Sequence, residues 1–82
     1  MSYVYEREKP EVLKPDGQRM LLEMQQKAME LITKAGAVRM DKLMSPGDSW
    51  TQLACADHLI EMGQLVEVPT NGMAQHRIFT TK

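Results

Sequence analysis

The sequence predicts a small α+β domain, three helices followed by a two-stranded β-hairpin. Three observations carry this. Residues 18–35 hold an apolar face at the 3.6-residue period and stop at Gly36. Residues 50–62 form a second long helical phrase, between Ser49 and Gly63. Residues 64–68 then alternate, and residues 75–80 return after an Asn71-Gly72 pair. Asn-Gly is a strong hairpin signal because both residues tolerate positive φ.

The bulk properties narrow the classes. Eighty-two residues make one domain, near the lower size limit for a self-sufficient core. A hydrophobic content of 43% suits a folded chain rather than a disordered one. The formal net charge of -1 lacks the basic excess that supplies most of a nucleic-acid binder's affinity, so any basic surface must come from segregation. A single cysteine, Cys55, excludes an internal disulfide and fits a reducing compartment. No apolar run reaches the length of a membrane span, and the N-terminus has no signal-peptide core. A cytoplasmic protein is the expectation. Eight methionines against one Phe and one Trp predict a core filled by flexible side chains.

In chain order, residues 1–17 read as a flexible, mostly extended arm. Tyr3, Val4 and Tyr5 alternate briefly, residues 6–9 are charged, and Pro10, Pro15 and Gly17 interrupt any regular element. The domain proper then spans residues 18–82. Asp16 is the expected N-cap of the first helix. Met20, Leu21, Met24, Ala28, Leu31, Ile32 and Ala35 share its inner face, with Arg19, Glu23, Lys27, Glu30 and Lys34 opposite. Glu23–Lys27 and Glu30–Lys34 stand in the favourable order, each contributing about 0.2–0.5 kcal/mol. Leu22 and Met29, seven apart, widen the apolar face beyond what a small core requires. They pack within the chain, which is the preferred reading, or form a seam for a second subunit.

Residues 37–39 read as a short first strand, and Met40, Leu43 and Met44 as a brief second helix ended by Ser45, Pro46 and Gly47. Ser49 and Gln52 have capping-box spacing ahead of the third helix. Its inward face is Leu53, Ala56, Leu59 and Ile60. Gly63 closes it, Leu65 carries the core onward, and Ile78 and Phe79 return the second strand after a loop over residues 69–74.

This order, most specifically residues 58–68 with Gly63 between helix and strand, resembles the winged helix-turn-helix superfamily over residues 18–80. The resemblance implies a nucleic-acid-binding or transcription-accessory module of the kind found in small bacterial and phage regulators, reading through helix 50–62 and the 64–80 wing. Two departures stand out. The turn over residues 45–48 is longer than a compact helix-turn-helix turn. No Lys or Arg occurs from residue 43 to residue 76, where Asp48, Asp57, Glu61 and Glu67 are present.

On that resemblance the nucleic-acid contacts are Thr51 and His58 in the groove, Gln52 at its edge, and His76 and Arg77 from the wing, with Lys82 adding charge. Arg39 and Lys42 flank the helix as backbone clamps. The alternative is a protein-interaction module without DNA contact, engaging a protein partner or a second copy. Its candidate contacts are Trp50, Leu22 and Met29. Trp50 also reads as a lid over Met40 and Met44. Cys55 and His58 have metal-ligand spacing, but no second cysteine supports a zinc site. The isolated glycines form no phosphate loop, and the carboxylates do not converge. No catalytic residue, metal, cofactor or small-molecule substrate is expected.

Overall fold

A computed structural model describes residues 3–45, 49–69 and 76–81. Its first element corrects the expected extended arm, since Tyr5–Val12 is a helix, α1. Eight residues with Pro10 inside them cannot hold a helix by propensity. Tertiary contact holds it: Val12 is fully buried, and Tyr3 and Tyr5 pack against the core.

The helix α2, Pro15–Ala35, begins three residues before its apolar period does. Proline forces the residue before it into extended backbone, and Lys14 has φ -75° and ψ 159°. At the first helical position the missing N–H is no loss. Lys14 is therefore the N-cap. Asp16, expected there, lies in the first turn, where a negative charge suits the helix dipole. Gly36 ends α2 as read, at φ 85°, its N–H donating to Ile32 O at 2.7 Å.

Gly17 does not interrupt a helix. It is buried where α1 and α2 meet, and a Cβ there would lie 2.6 Å from Val12 Cα and 2.7 Å from Val12 O. Its carbonyl faces Cys55 Sγ at 3.8 Å, so three chain segments converge on a residue without a side chain.

The strand β1, Val38–Arg39, leads into a single turn of helix, α3, Met40–Leu43. Then come the helix α4, Ser49–Glu61, and the strands β2, Val66–Val68, and β3, Ile78–Thr80. The expected two-stranded hairpin is a three-stranded antiparallel sheet in the order β1-β3-β2. Val38 pairs with Phe79 and Arg39 with Ile78 on one side of β3; Val66 pairs with Thr80 and Val68 with Ile78 on the other. The fully buried Phe79 lies on the central strand, and β1 covers an edge that would otherwise be open. The Asn71-Gly72 turn, the Pro46-Gly47 turn and Lys82 lie outside the described residues.

The expected capping box does not form through Gln52. Its amide bonds both Ser45 N and Ser45 O, each at 2.7 Å.

The centre of the molecule is α4, with α1 and α2 both packed on it. Thr51, Gln52, Leu53, Ala54, Cys55, Ala56 and Leu59 are all buried. Its small residues let two helices approach. Among the described residues, no helix is long and apolar enough to cross a membrane.

Gly17→Ala should cost about 2–3 kcal/mol in urea denaturation, because backbone must shift to admit the methyl. Gly36→Ala meets nothing within 4 Å and should cost only the roughly 1 kcal/mol of left-handed backbone strain. Equal losses at the two sites would refute the close approach at Gly17.

Candidate interaction surface and the covered face of the fourth helix

The side of α4 that the sequence assigns to a groove carries Asp57, His58 and Glu61. Spaced at one and three residues, they share a face, and α1 lies across it. Tyr3 Oη donates to Asp57 Oδ2 at 2.5 Å, Tyr5 Oη lies 3.0 Å from His58 Nδ1, and Lys9 Nζ lies 2.7 Å from Glu61 Oε1. Burial, and then the Glu61 carboxylate, push the Tyr5 hydroxyl up to about 12. Tyr3 is raised too, first by burial and then by its bond to Asp57. Lys9, followed by Tyr5, holds Glu61 below the usual carboxylate range.

Arg77, the residue just before β3, completes the seam. Its Nη2 lies 2.6 Å from Asp57 Oδ1 and 2.7 Å from Glu67 Oε1, and its Nε donates to Glu67 Oε2 at 3.0 Å. The guanidinium also sits 5.2 Å from the Phe79 ring centroid. Burial works against the charge; the bonds to Glu67 and Asp57 outweigh it and hold Arg77 above its ordinary value. Its side chain is 15% exposed, so the wing arginine read as a phosphate contact is a structural clamp between two acids.

Thr51 and Gln52 are 6% and 4% exposed, so neither faces a groove. Ala54, outside the expected inward face, is also fully buried. The reason is α1: a wheel with one inward face undercounts a helix flanked on two sides. His58 is half-buried against Tyr5. Arg39 is exposed and paired with Asp41, whose bond raises its pKa. Lys42 and His76 are exposed. The fold therefore brings no cationic track together along α4. Trp50 is half-buried and packed against the core.

Leu22 and Met29, expected to pack within the chain, are instead 54% and 46% exposed on α2, because α1 lies against α4 and not over this edge. Between them Gln25 donates to the Gln64 side chain just past α4. Cys55 has no exposure, and burial pushes its thiol up to about 11, which leaves it unreactive near neutral pH. Among the described residues no group of three His, Cys, Asp or Glu is placed to hold a metal.

The residues that sequence reasoning missed are the internal partners: Tyr3, Lys9, Asp57, Glu61 and Glu67. The one advance signal was a pair of tyrosines two apart in an otherwise charged segment. Comparisons of the chain with protein-family models, curated proteins and solved structures return no match.

Two outcomes follow from the seam. Arg77→Ala should cost about 2–3 kcal/mol, leaving two facing carboxylates without their cation, and Arg77→Lys should recover only part, because an ammonium lacks the bidentate fork. Urea denaturation reads both. At alkaline pH the sign is set by Tyr5. Its folded pKa is raised, so its contribution is complete below the ordinary value of 10.0 and is lost as pH rises to about 12. Stability should fall across that window, and Tyr5→Phe should flatten the fall.

Proposed function

We propose that this chain is a protein-interaction module built on a winged-helix frame, with no direct nucleic-acid contact from α4. The succession α2, β1, α3, α4, β2, β3 and the strand order β1-β3-β2 support the winged-helix reading of the frame. The single observation that carries the function is the closure of α4 by α1, through Tyr3–Asp57, Tyr5–His58 and Lys9–Glu61. In a winged helix the third helix of the frame is the reading helix. Here α1 lies over that face, with Asp57 and His58 half-buried beneath it.

The charges argue the same way. Lifting α1 away would uncover Asp57 and Glu61, which repel phosphate, and would not free Arg77 from Glu67. Along α2 the cations alternate with carboxylates, and Arg39 is bonded to Asp41. Among the described residues the cations gather into no basic patch, so the counterion-release term that supplies most nonspecific affinity is small. A cytoplasmic setting fits the lone, buried Cys55 thiol.

A backbone-amide NMR titration with a mixed-sequence DNA duplex, at low and near-physiological salt, tests the proposal. The expected result is no clustered shift at Thr51, His58 or Arg77 under either condition, for the whole chain and for a Tyr3→Phe/Tyr5→Phe variant with a loosened seam. Salt-sensitive shifts at His58 and Arg77 in either protein would restore the nucleic-acid reading.

A further inference from the structure

Around α2 the side chains fall into three stripes. Leu21, Met24, Ala28 and Ile32 face the core. Gln18, Leu22, Gln25, Gln26, Met29 and Thr33 form an uncharged stripe within roughly 100° of arc. Beside it run Asp16, Arg19, Glu23, Lys27, Glu30 and Lys34, every one charged.

The uncharged stripe has turned much of its polarity inward. The Gln18 amide donates to Val12 O at 2.8 Å, the Gln25 amide bonds Gln64, and the Thr33 hydroxyl donates to Met29 O at 2.7 Å. What it offers outward is the half-exposed Leu22 and Met29 and glutamine methylenes.

The charged stripe carries a direction. Read from Asp16 to Lys34 its signs alternate, beginning negative and ending positive. Reversing the helix therefore converts each sign into its opposite. A parallel two-fold pair would leave the charged stripes on opposite sides of the contact, where they do not meet, whereas an antiparallel copy centred on Gln25 sets Asp16 against Lys34 and Glu23 against Lys27. The same register puts Arg19 within one residue of Glu30, and Leu22 within one residue of Met29. In an antiparallel helix pair each flank meets the same flank of its mate, so the charged stripes adjoin when the uncharged ones face. The charges are available for this: the existing pairs Arg19–Asp16 and Lys34–Glu30 have side chains at least 65% exposed.

We propose that the uncharged stripe of α2 is the docking surface for a second copy of this chain, packed antiparallel about a two-fold axis beside Gln25. This rests on the interaction-module reading and names its partner. Such a contact is self-complementary and closes at two copies. A stripe with two apolar residues per copy falls below the area of a permanent dimer, so the association is weak and reversible, with a dissociation constant on the order of 100 μM.

Sedimentation equilibrium from about 10 μM to about 1 mM tests it. The wild-type mass should rise with concentration from the 9.4 kDa monomer toward twice that value. Leu22→Glu should stay monomeric. Arg19→Glu and Glu30→Arg should each self-associate at least about tenfold more weakly, since each sets like charges together at two symmetric positions. Mixed together, these two variants should associate again, because every Glu at one position then meets an Arg at the other. Unchanged urea midpoints keep misfolding out of the comparison, as all three positions are exposed. A wild type that stays monomeric at every concentration, or a dimer indifferent to Leu22→Glu, overturns the proposal. So does a mixture no tighter than either variant alone. A monomeric wild type with no response to DNA leaves the interaction-module reading standing with another partner; a DNA response removes that reading whatever the mass.

Discussion

The Asp57 carboxylate ties together the parts of this molecule that are farthest apart in the chain. One oxygen accepts from Tyr3 at the N-terminus, and the other meets Arg77 ahead of the last strand. Asp57 itself lies on the central helix, so one side chain links the N-terminal segment, α4 and the sheet. Arg77 extends the link to Glu67 on β2. Two acids on one guanidinium leave a net negative charge at the seam. Partial burial strengthens the attraction there beyond that of an exposed pair, which contributes little. Remove this junction and α1 keeps its contacts around Val12, the Tyr5–His58 bond and the exposed Lys9–Glu61 pair.

That junction also settles how α4 is used in the fold. A helix packed on one side can present the other to a ligand. A helix packed on two sides becomes a spine. The run Thr51 to Ala56 is buried without exception, with the small residues Ala54, Cys55 and Ala56 admitting neighbours on either side. Gly17 is the matching concession in α2, where the corner between the first two helices comes closer than any side chain would permit. Small residues at both contacts are what let four helical segments and three short strands share a core in so short a chain.

With α4 enclosed, the outward chemistry shifts to α2. Its apolar residues Leu22 and Met29 stand exposed beside an ordered run of charges. Exposed single hydrophobes are ordinary on protein surfaces. The combination with charges that are self-complementary only on reversal is what distinguishes this face, since complementarity of sign specifies orientation more than it supplies affinity.

Local rules made much of the fold legible. The period of α2, its glycine stop, the brief α3, the bounds of α4 and the presence of strands around residues 66–68 and 78–80 all follow from side-chain spacing and from Gly36 and Gly63. A wheel places Leu22 and Met29 at the edge of the apolar face, but the preferred reading packed them within the chain, and only the structure shows them exposed. The rest depended on tertiary contacts, up to 54 positions apart in the chain. Periodicity is blind to a helix that needs tertiary contact to exist, so α1, with Pro10 inside it, read as an arm. Residues 37–39 read as a strand, but nothing in their spacing pairs them with β3, which draws them into the sheet. Arg77, His58, Thr51 and Gln52 have the side chains of a binding site, and composition could not say that Asp57 and Glu67, Tyr5, Ser45 and the packed interior would take them. Spacing along the chain determined the longer helices and the strand segments; the tertiary structure decided that α1 forms and which polar groups remain for a partner, because a group half-buried against an opposite charge, as Arg77 is, is no longer free to bind.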